Sequence, residues 1–146
     1  MQASKIALDN YYLMYLDAKK DNINLLIYSA YRTYQKQYDL YYNVNNKDDE
    51  YSARPGFSEH HTGLAFDISD NIHGLTINFS NSYTYQWLIK NSYKYGFILR
   101  YPENKECITM YKYEPWHFRY VGSSAAYEIH INSKTLEEYL LENYEL

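Results

Sequence analysis

The 146-residue chain has a single cysteine, Cys107, so no intrachain disulfide can form. Stability must come from an apolar core, and this length suits one domain with one core. Basic residues are also few: 14 Lys and Arg against 18 Asp and Glu leave a net charge of −4. They are scattered, whereas duplex binding needs clustered cations to displace counterions from phosphates, so no nucleic-acid partner is expected. No apolar run approaches the ~20 residues that span a bilayer. The opening residues, MQASKIALDNYY, lack the basic-then-apolar layout of a secretory signal. Any export signal or anchor is expected upstream of this chain.

What the chain does have is tyrosine. There are 21, about one residue in seven, against 5 phenylalanines and 2 tryptophans. Apolar residues at 46% and charged residues at 22% are ordinary globular usage, so disorder is excluded. The tyrosines could form a stacking surface for bases or sugars. The expected reading is plainer: tyrosine replaces Phe and Leu through much of the core, with Tyr11, Tyr83 and Tyr139 in core or rim positions.

Ala3, Ala7, Tyr11, Met14 and Ala18 recur at three- and four-residue steps, which predicts a helix over 3–20. NLLIYS (24–29) and LAFDIS (64–69) read as buried strands, and 33–43 as a second helix. Residues 44–56 form a polar loop ending in Arg54-Pro55-Gly56. A third helix is predicted over 83–95, stopped by Gly96. FILRY (97–101), ECITMY (106–111) and HFRYV (117–121) read as three closely spaced, antiparallel strands. Thr135 and Glu138 have capping-box spacing before a C-terminal helix. The fold class is therefore α+β, an antiparallel sheet with helices packed against it.

Two stretches carry chemistry. In Ser58-Glu59-His60-His61-Thr62-Gly63-Leu64-Ala65-Phe66-Asp67, an aspartate sits inside an apolar strand, costly unless it is paired or binds a metal. In Glu114-Pro115-Trp116-His117, the proline argues against a helix, so a tight turn can aim Glu114 and His117 into one cleft. His60, Asp67 and His117 form a candidate set of three ligands, the number that catalytic zinc uses while keeping one position open. Glu114 would then be the general base beside the activated water. Spacing alone leaves a second reading open, of satisfied histidines and a surface glutamate. His61 is expected at the rim, pointing away from His60 if 60–61 is extended. Cys107 is expected in the core, Glu59 near the ligands or at the surface, and Arg100 and Arg119 in structural ion pairs.

These motifs resemble the VanY-type zinc D-alanyl-D-alanine carboxypeptidase and dipeptidase family. The pattern Ser58-x-His60-x-x-Gly63-x-Ala65-x-Asp67, followed by Glu114-x-Trp116-His117, is that family's signature. YSAYRTYQKQYDLY (28–41), ARPGFSEHHTGLAFDIS (53–69) and YGFILRYPENKECITMYKYEPWHFRYVG (95–122) are similar to further family segments. The likeness runs over roughly residues 3–140. It implies one Zn²⁺ per chain, held by His60, Asp67 and His117 in a cleft on the sheet of a Hedgehog/D-Ala-D-Ala-peptidase-like fold. It implies Glu114 as catalytic base and later proton donor, and Arg32 as the cation that meets a substrate carbonyl or carboxylate. Gln37, Ser58 and Tyr101 match positions that hydrogen-bond substrate. The implied substrate is a peptidoglycan stem peptide ending in D-Ala-D-Ala, with the tetrapeptide or an endopeptidase cut as alternatives. No protein partner is implied, so a monomer is expected. An extracytoplasmic place at the cell wall or membrane is expected through an upstream segment, with the cytoplasm as the alternative. Ala30 and Met110 stand where the family often has glycine, and His61 where it often has Gln.

Overall fold

The predicted first stripe forms helix α1 (Lys5–Lys20) in a computed structural model that describes residues 2–144. Its buried face is Ala7, Tyr11, Met14 and Ala18, the spacing that the 3.6-residue period demands. Four strands follow in the chain: β1 (Leu26–Ser29), β2 (Ala65–Ser69), β3 (Phe97–Leu99) and β4 (His117–Tyr120). They form one sheet in the order β1-β2-β4-β3, with every neighbouring pair antiparallel. The two central strands, β2 and β4, carry the two motifs.

Alternation along these strands separates core from cleft. Phe66, Ile68, Phe97 and Phe118 turn to one face and pack with the stripe of α1 and with Phe79 and Leu88. Leu88 comes from helix α3 (Tyr83–Asn91), whose first turn is capped by the Ser82 hydroxyl. Asp67 and His117 stand one residue from Phe66 and Phe118, and so face the other side. Ile98 on β3 packs instead with Ala126 and Ile129 of helix α5 (Ser123–Ile131).

Four of the five phenylalanines lie in the core, against three of the 21 tyrosines, Tyr11, Tyr41 and Tyr101. Phe66, Phe79, Phe97 and Phe118 are fully buried, whereas Tyr12, Tyr34 and Tyr127 are exposed and Tyr83 is 83% exposed. A buried phenol must find a partner for its hydroxyl, as Tyr11 does by donating to the Leu25 carbonyl at 3.0 Å. Most tyrosines therefore lie outside the fully buried core, so the expected replacement of Phe and Leu through much of it is corrected: Tyr11 is in the core and Tyr139 packs at its rim, whereas Tyr83 is exposed.

Helix α2 (Tyr34–Asp39) is capped by Thr33 and continues into a wider π-helical turn, Leu40–Val44. Helix α6 (Leu136–Asn143) begins with the predicted capping box, Thr135 and Glu138 bonding reciprocally. The strand expected at 106–111 is absent. Left-handed residues interrupt extended chain here, Asn104 at φ 63° and Met110 at φ 62°, and the segment instead closes a short helix, α4 (Glu106–Thr109). Its amides bond back to Lys105 and Glu106, and Met110 ends it in the left-handed region at φ 62°. Cys107 is consequently exposed, not a core side chain.

Met110 explains the family's glycine at that place. A left-handed non-glycine residue costs roughly 1–2 kcal/mol, partly offset by the ~0.5–1 kcal/mol of extra chain entropy that glycine loses. Met110→Gly is expected to stabilise the fold by about 0.5–1 kcal/mol and raise Tm by roughly 2–4 °C. Thermal unfolding followed by circular dichroism checks this, and a lowered Tm would contradict it.

Candidate active site

Antiparallel pairing places Asp67 directly opposite His117. His60 comes from the 3-10 turn Glu59–Thr62 just before β2. That turn closes on Gly63 at φ 69°, where a Cβ would stand 2.8 Å from the Ser4 amide nitrogen, so a side chain there collides with the start of α1. The three candidate ligands are buried and offer atoms that all lie within 4.8 Å of one another.

The spacings fit a metal. His60 Nε2 is 3.3 Å from Asp67 Oδ2, and His117 Nδ1 is 3.3 Å from Asp67 Oδ1. Donors placed tetrahedrally around zinc at ~2.0–2.1 Å stand roughly 3.3–3.4 Å apart. The outward nitrogens are held as well. His60 Nδ1 lies 2.6 Å from the Ala30 carbonyl and His117 Nε2 lies 3.4 Å from Glu59 Oε2. A proton on each of those nitrogens leaves a lone pair on the inward one, the arrangement that metal-binding imidazoles need.

Charge points the same way. Asp67, Glu59 and Glu114 all approach His117, with Glu114 Oε2 at 3.6 Å from Nδ1. Burial would lower the His117 pKa, but these carboxylates outweigh it and push it up to about 9. Burial would raise Asp67, yet His60 and His117 hold it well below the ordinary carboxylate range. Glu114 shows the opposite balance: burial, helped by Asp67 and Glu59, overcomes His117 and Arg32 and lifts it to about 7. Such a surplus of buried carboxylate is what a divalent cation neutralises.

The remaining predicted residues border the same cleft of about 370 Å³, together with Tyr51, Leu75, Tyr111 and Trp116. Glu114 reaches it from the turn before β4, where the His117 amide bonds to the Glu114 carbonyl. The Arg32 guanidinium donates to Gln37 Oε1 at 2.8 Å, Ser29 Oγ at 3.1 Å and Asp67 Oδ2 at 3.4 Å. Gln37 is fully buried, and its amide donates to Ser52 Oγ and to the Ala53 carbonyl. Its donors are thus committed within the protein, and its oxygen aims Arg32. Ser58 lines the cleft from the N-cap position, with its side chain not used as a cap. Tyr101 places its ring 4.9 Å from the His117 ring, and burial, with Glu59 nearby, raises its hydroxyl far enough to remain a proton donor.

Sequence reading understated two residues. Glu59 accepts from His117 and from Arg100 Nε at 2.8 Å, and lies 3.4 Å from Arg119. Burial would raise its pKa, but His117, Arg100 and Arg119 bring it down to about 2, so it is an ionised acceptor. His61 lies in a 3-10 turn, not in extended chain, so it does not simply point away. Its Nδ1 is 2.7 Å from the Arg32 carbonyl, and its Nε2 accepts from the Gly56 amide at 3.1 Å. A neutral imidazole offers one donor and one acceptor, as a carboxamide does, which accounts for Gln at this place in the family.

Residues 1–123 match the family model for VanY, D-alanyl-D-alanine carboxypeptidase. The chain belongs to the VanY D-alanyl-D-alanine carboxypeptidase family. It is 47% identical over 142 residues to the putative carboxypeptidase YodJ of Bacillus subtilis (strain 168), covering 92% of this chain and 52% of that protein. The chain spans about half the length of the curated relatives it matches first. Among solved structures, the LdcB L,D-carboxypeptidase superposes with a TM-score of 0.87 at 44% identity, over 95% of this chain and 68% of that one. A variant of the vancomycin-resistance D,D-pentapeptidase VanY, in complex with Zn(II), superposes with a TM-score of 0.80 at 35% identity, over 94% and 83%.

His61→Gln is expected to leave the urea unfolding free energy within about 0.5 kcal/mol of wild type. His61→Leu removes both hydrogen bonds and is expected to cost roughly 1–3 kcal/mol. Equal stability of the two variants would show that the pair of contacts is immaterial.

Proposed function

We propose that the chain is a zinc-dependent carboxypeptidase that releases terminal D-alanine from peptidoglycan stem peptides. The observation that carries this reading is the half-buried Glu114 carboxylate, 3.6 Å from His117 Nδ1 and beside the His60–Asp67–His117 group, in one cleft with Arg32. His60 Nε2, Asp67 and His117 Nδ1 would hold a zinc ion, which would supply a Lewis acid and lower the pKa of water towards ~7. Glu114, in the cleft beside the three ligands, would stand next to that water as its general base. It takes the proton as water attacks the scissile carbonyl and returns it to the departing amine of D-alanine. Arg32, held in place by Gln37 and Ser29, presents its guanidinium to the negative charge that develops on the carbonyl oxygen or to a substrate carboxylate. Ser58 and the protonated Tyr101 hydroxyl add hydrogen bonds along the substrate. This substrate lies at the cell wall, which is where the reading puts the enzyme.

A second reading, an L,D-carboxypeptidase acting on the tetrapeptide stem, is supported by the 44% identity to LdcB. Zinc-loaded protein incubated with pentapeptide and tetrapeptide stems, followed by mass spectrometry, separates the two. Loss of one alanine from the pentapeptide is the expected outcome. Cleavage of the tetrapeptide alone moves the assignment to the L,D enzyme, and cleavage of neither by zinc-bound protein removes both. Glu114→Gln is expected to lower kcat/KM by about 10²–10⁴-fold while zinc content stays at one per chain. A chelator should abolish release, and added zinc should restore it.

A further inference from the structure

Glu59 does not stand alone behind His117. Its Oε1 accepts from Arg100 Nε, and the other end of the same guanidinium is clamped by Glu137, with NH1 at 3.0 Å from Oε2 and NH2 at 2.6 Å from Oε1. Arg100 is 9% exposed, so the guanidinium is shielded from solvent, while the Glu137 side chain that grips it is 28% exposed. Its guanidinium carbon lies 4.9 Å over the Tyr101 ring, which itself faces the His117 ring. Glu137 sits in the first turn of α6, beyond the residues that the family model matches. That turn is fixed independently: Leu136 packs with Ile98, Ala126 and Ile129, and Glu138 pairs with Lys105 at 2.8 Å.

We infer that Glu137 is a positioning residue for the metal centre, acting on His117 through Arg100 and Glu59. The inference rests on the reading of His60, Asp67 and His117 as metal ligands. Arg100 has donors for two carboxylates, and Glu137 occupies two of its nitrogens. With Glu137 neutral, the guanidinium is free to turn its fork towards Glu59 and draw that carboxylate into a bidentate pair of its own. Glu59 Oε2 then leaves His117 Nε2, and the ligand loses the acceptor that fixes its tautomer and raises its basicity. A C-terminal helix thus sets how firmly a ligand on β4 meets the metal.

Zinc affinity of the full chain, measured by competition with a chromophoric chelator, tests this. Wild type is expected to bind one zinc. Glu59→Gln should weaken binding about 10–100-fold, the usual range for a lost partner of a metal-bound histidine. Glu137→Gln should weaken it roughly 3–10-fold by the same route. In the double variant, Glu137→Gln should add nothing to Glu59→Gln, because its effect passes through Glu59. Lys105→Met, which breaks the neighbouring ion pair of α6 without touching Arg100, should leave zinc affinity unchanged even if Tm falls. Unaltered affinity in folded Glu137→Gln, or full additivity in the cycle, overturns the relay while leaving the metal site intact. Failure of wild type to bind zinc overturns the metal reading and the relay with it. If Glu137→Gln does not fold, Glu137→Asp, whose shorter side chain strains the bidentate clamp, takes its place in the same cycle with the same two outcomes.

Discussion

The pairing of Asp67 with His117 across the two central strands is the contact on which the site depends. It is secured from the opposite face. Phe66 and Phe118, paired one step along the same ladder, are both fully buried. Because strand side chains alternate, burying those two rings obliges residues 67 and 117 to face the cleft. A slip of one residue would expose the phenylalanines and bury the ligands in the core. The apolar energy that fixes register therefore also fixes the face on which Asp67 and His117 stand, and the partners of the imidazoles refine their orientation from there.

Around that pair, charge is arranged in opposed sets. Carboxylates converge on His117, while Arg32 and Arg100 approach from different sides and each is held by partners of its own. Asp67 and Glu59 are kept ionised by neighbouring cations, whereas Glu114, with fewer, is lifted towards neutrality. Carboxylates within one small cleft thus acquire different protonation behaviour from position alone, as the proposed roles of ligand, orienting acceptor and base require.

The grouping of His60, Asp67, Glu114 and His117 and the central strands were legible because their signals are local: His60 to Asp67 spans eight residues, and Glu114 to His117 spans four. The α1 stripe and the capping box of α6 were legible for the same reason. Segment 106–111 was misread because Ile108, Met110 and Tyr111 suggest a strand, while the left-handed backbone at Asn104 and Met110, which non-glycine side chains do not announce, turns the chain into a helix between them. Cys107 failed with it. The tyrosines misled because composition says how many aromatic rings exist but not which of them have a partner for a hydroxyl. The contact of His61 with the Arg32 carbonyl and the link from Arg100 to Glu137 join residues 29 and 37 positions apart, and no spacing rule reaches so far.

The strand order has a consequence for how the molecule comes apart. Edges of a sheet open first, and here the edges are β1 and β3. β1 already carries an irregularity in its pairing between Ile27 and Ser29. Transient fraying of either edge leaves β2 and β4 joined, so the histidine and aspartate that face each other across them stay in register. Separation of those two strands requires the phenylalanine core to open as a whole. Loss of the ligand geometry and loss of the fold are then one cooperative event, and amides on the β2–β4 ladder should be the last to exchange with solvent.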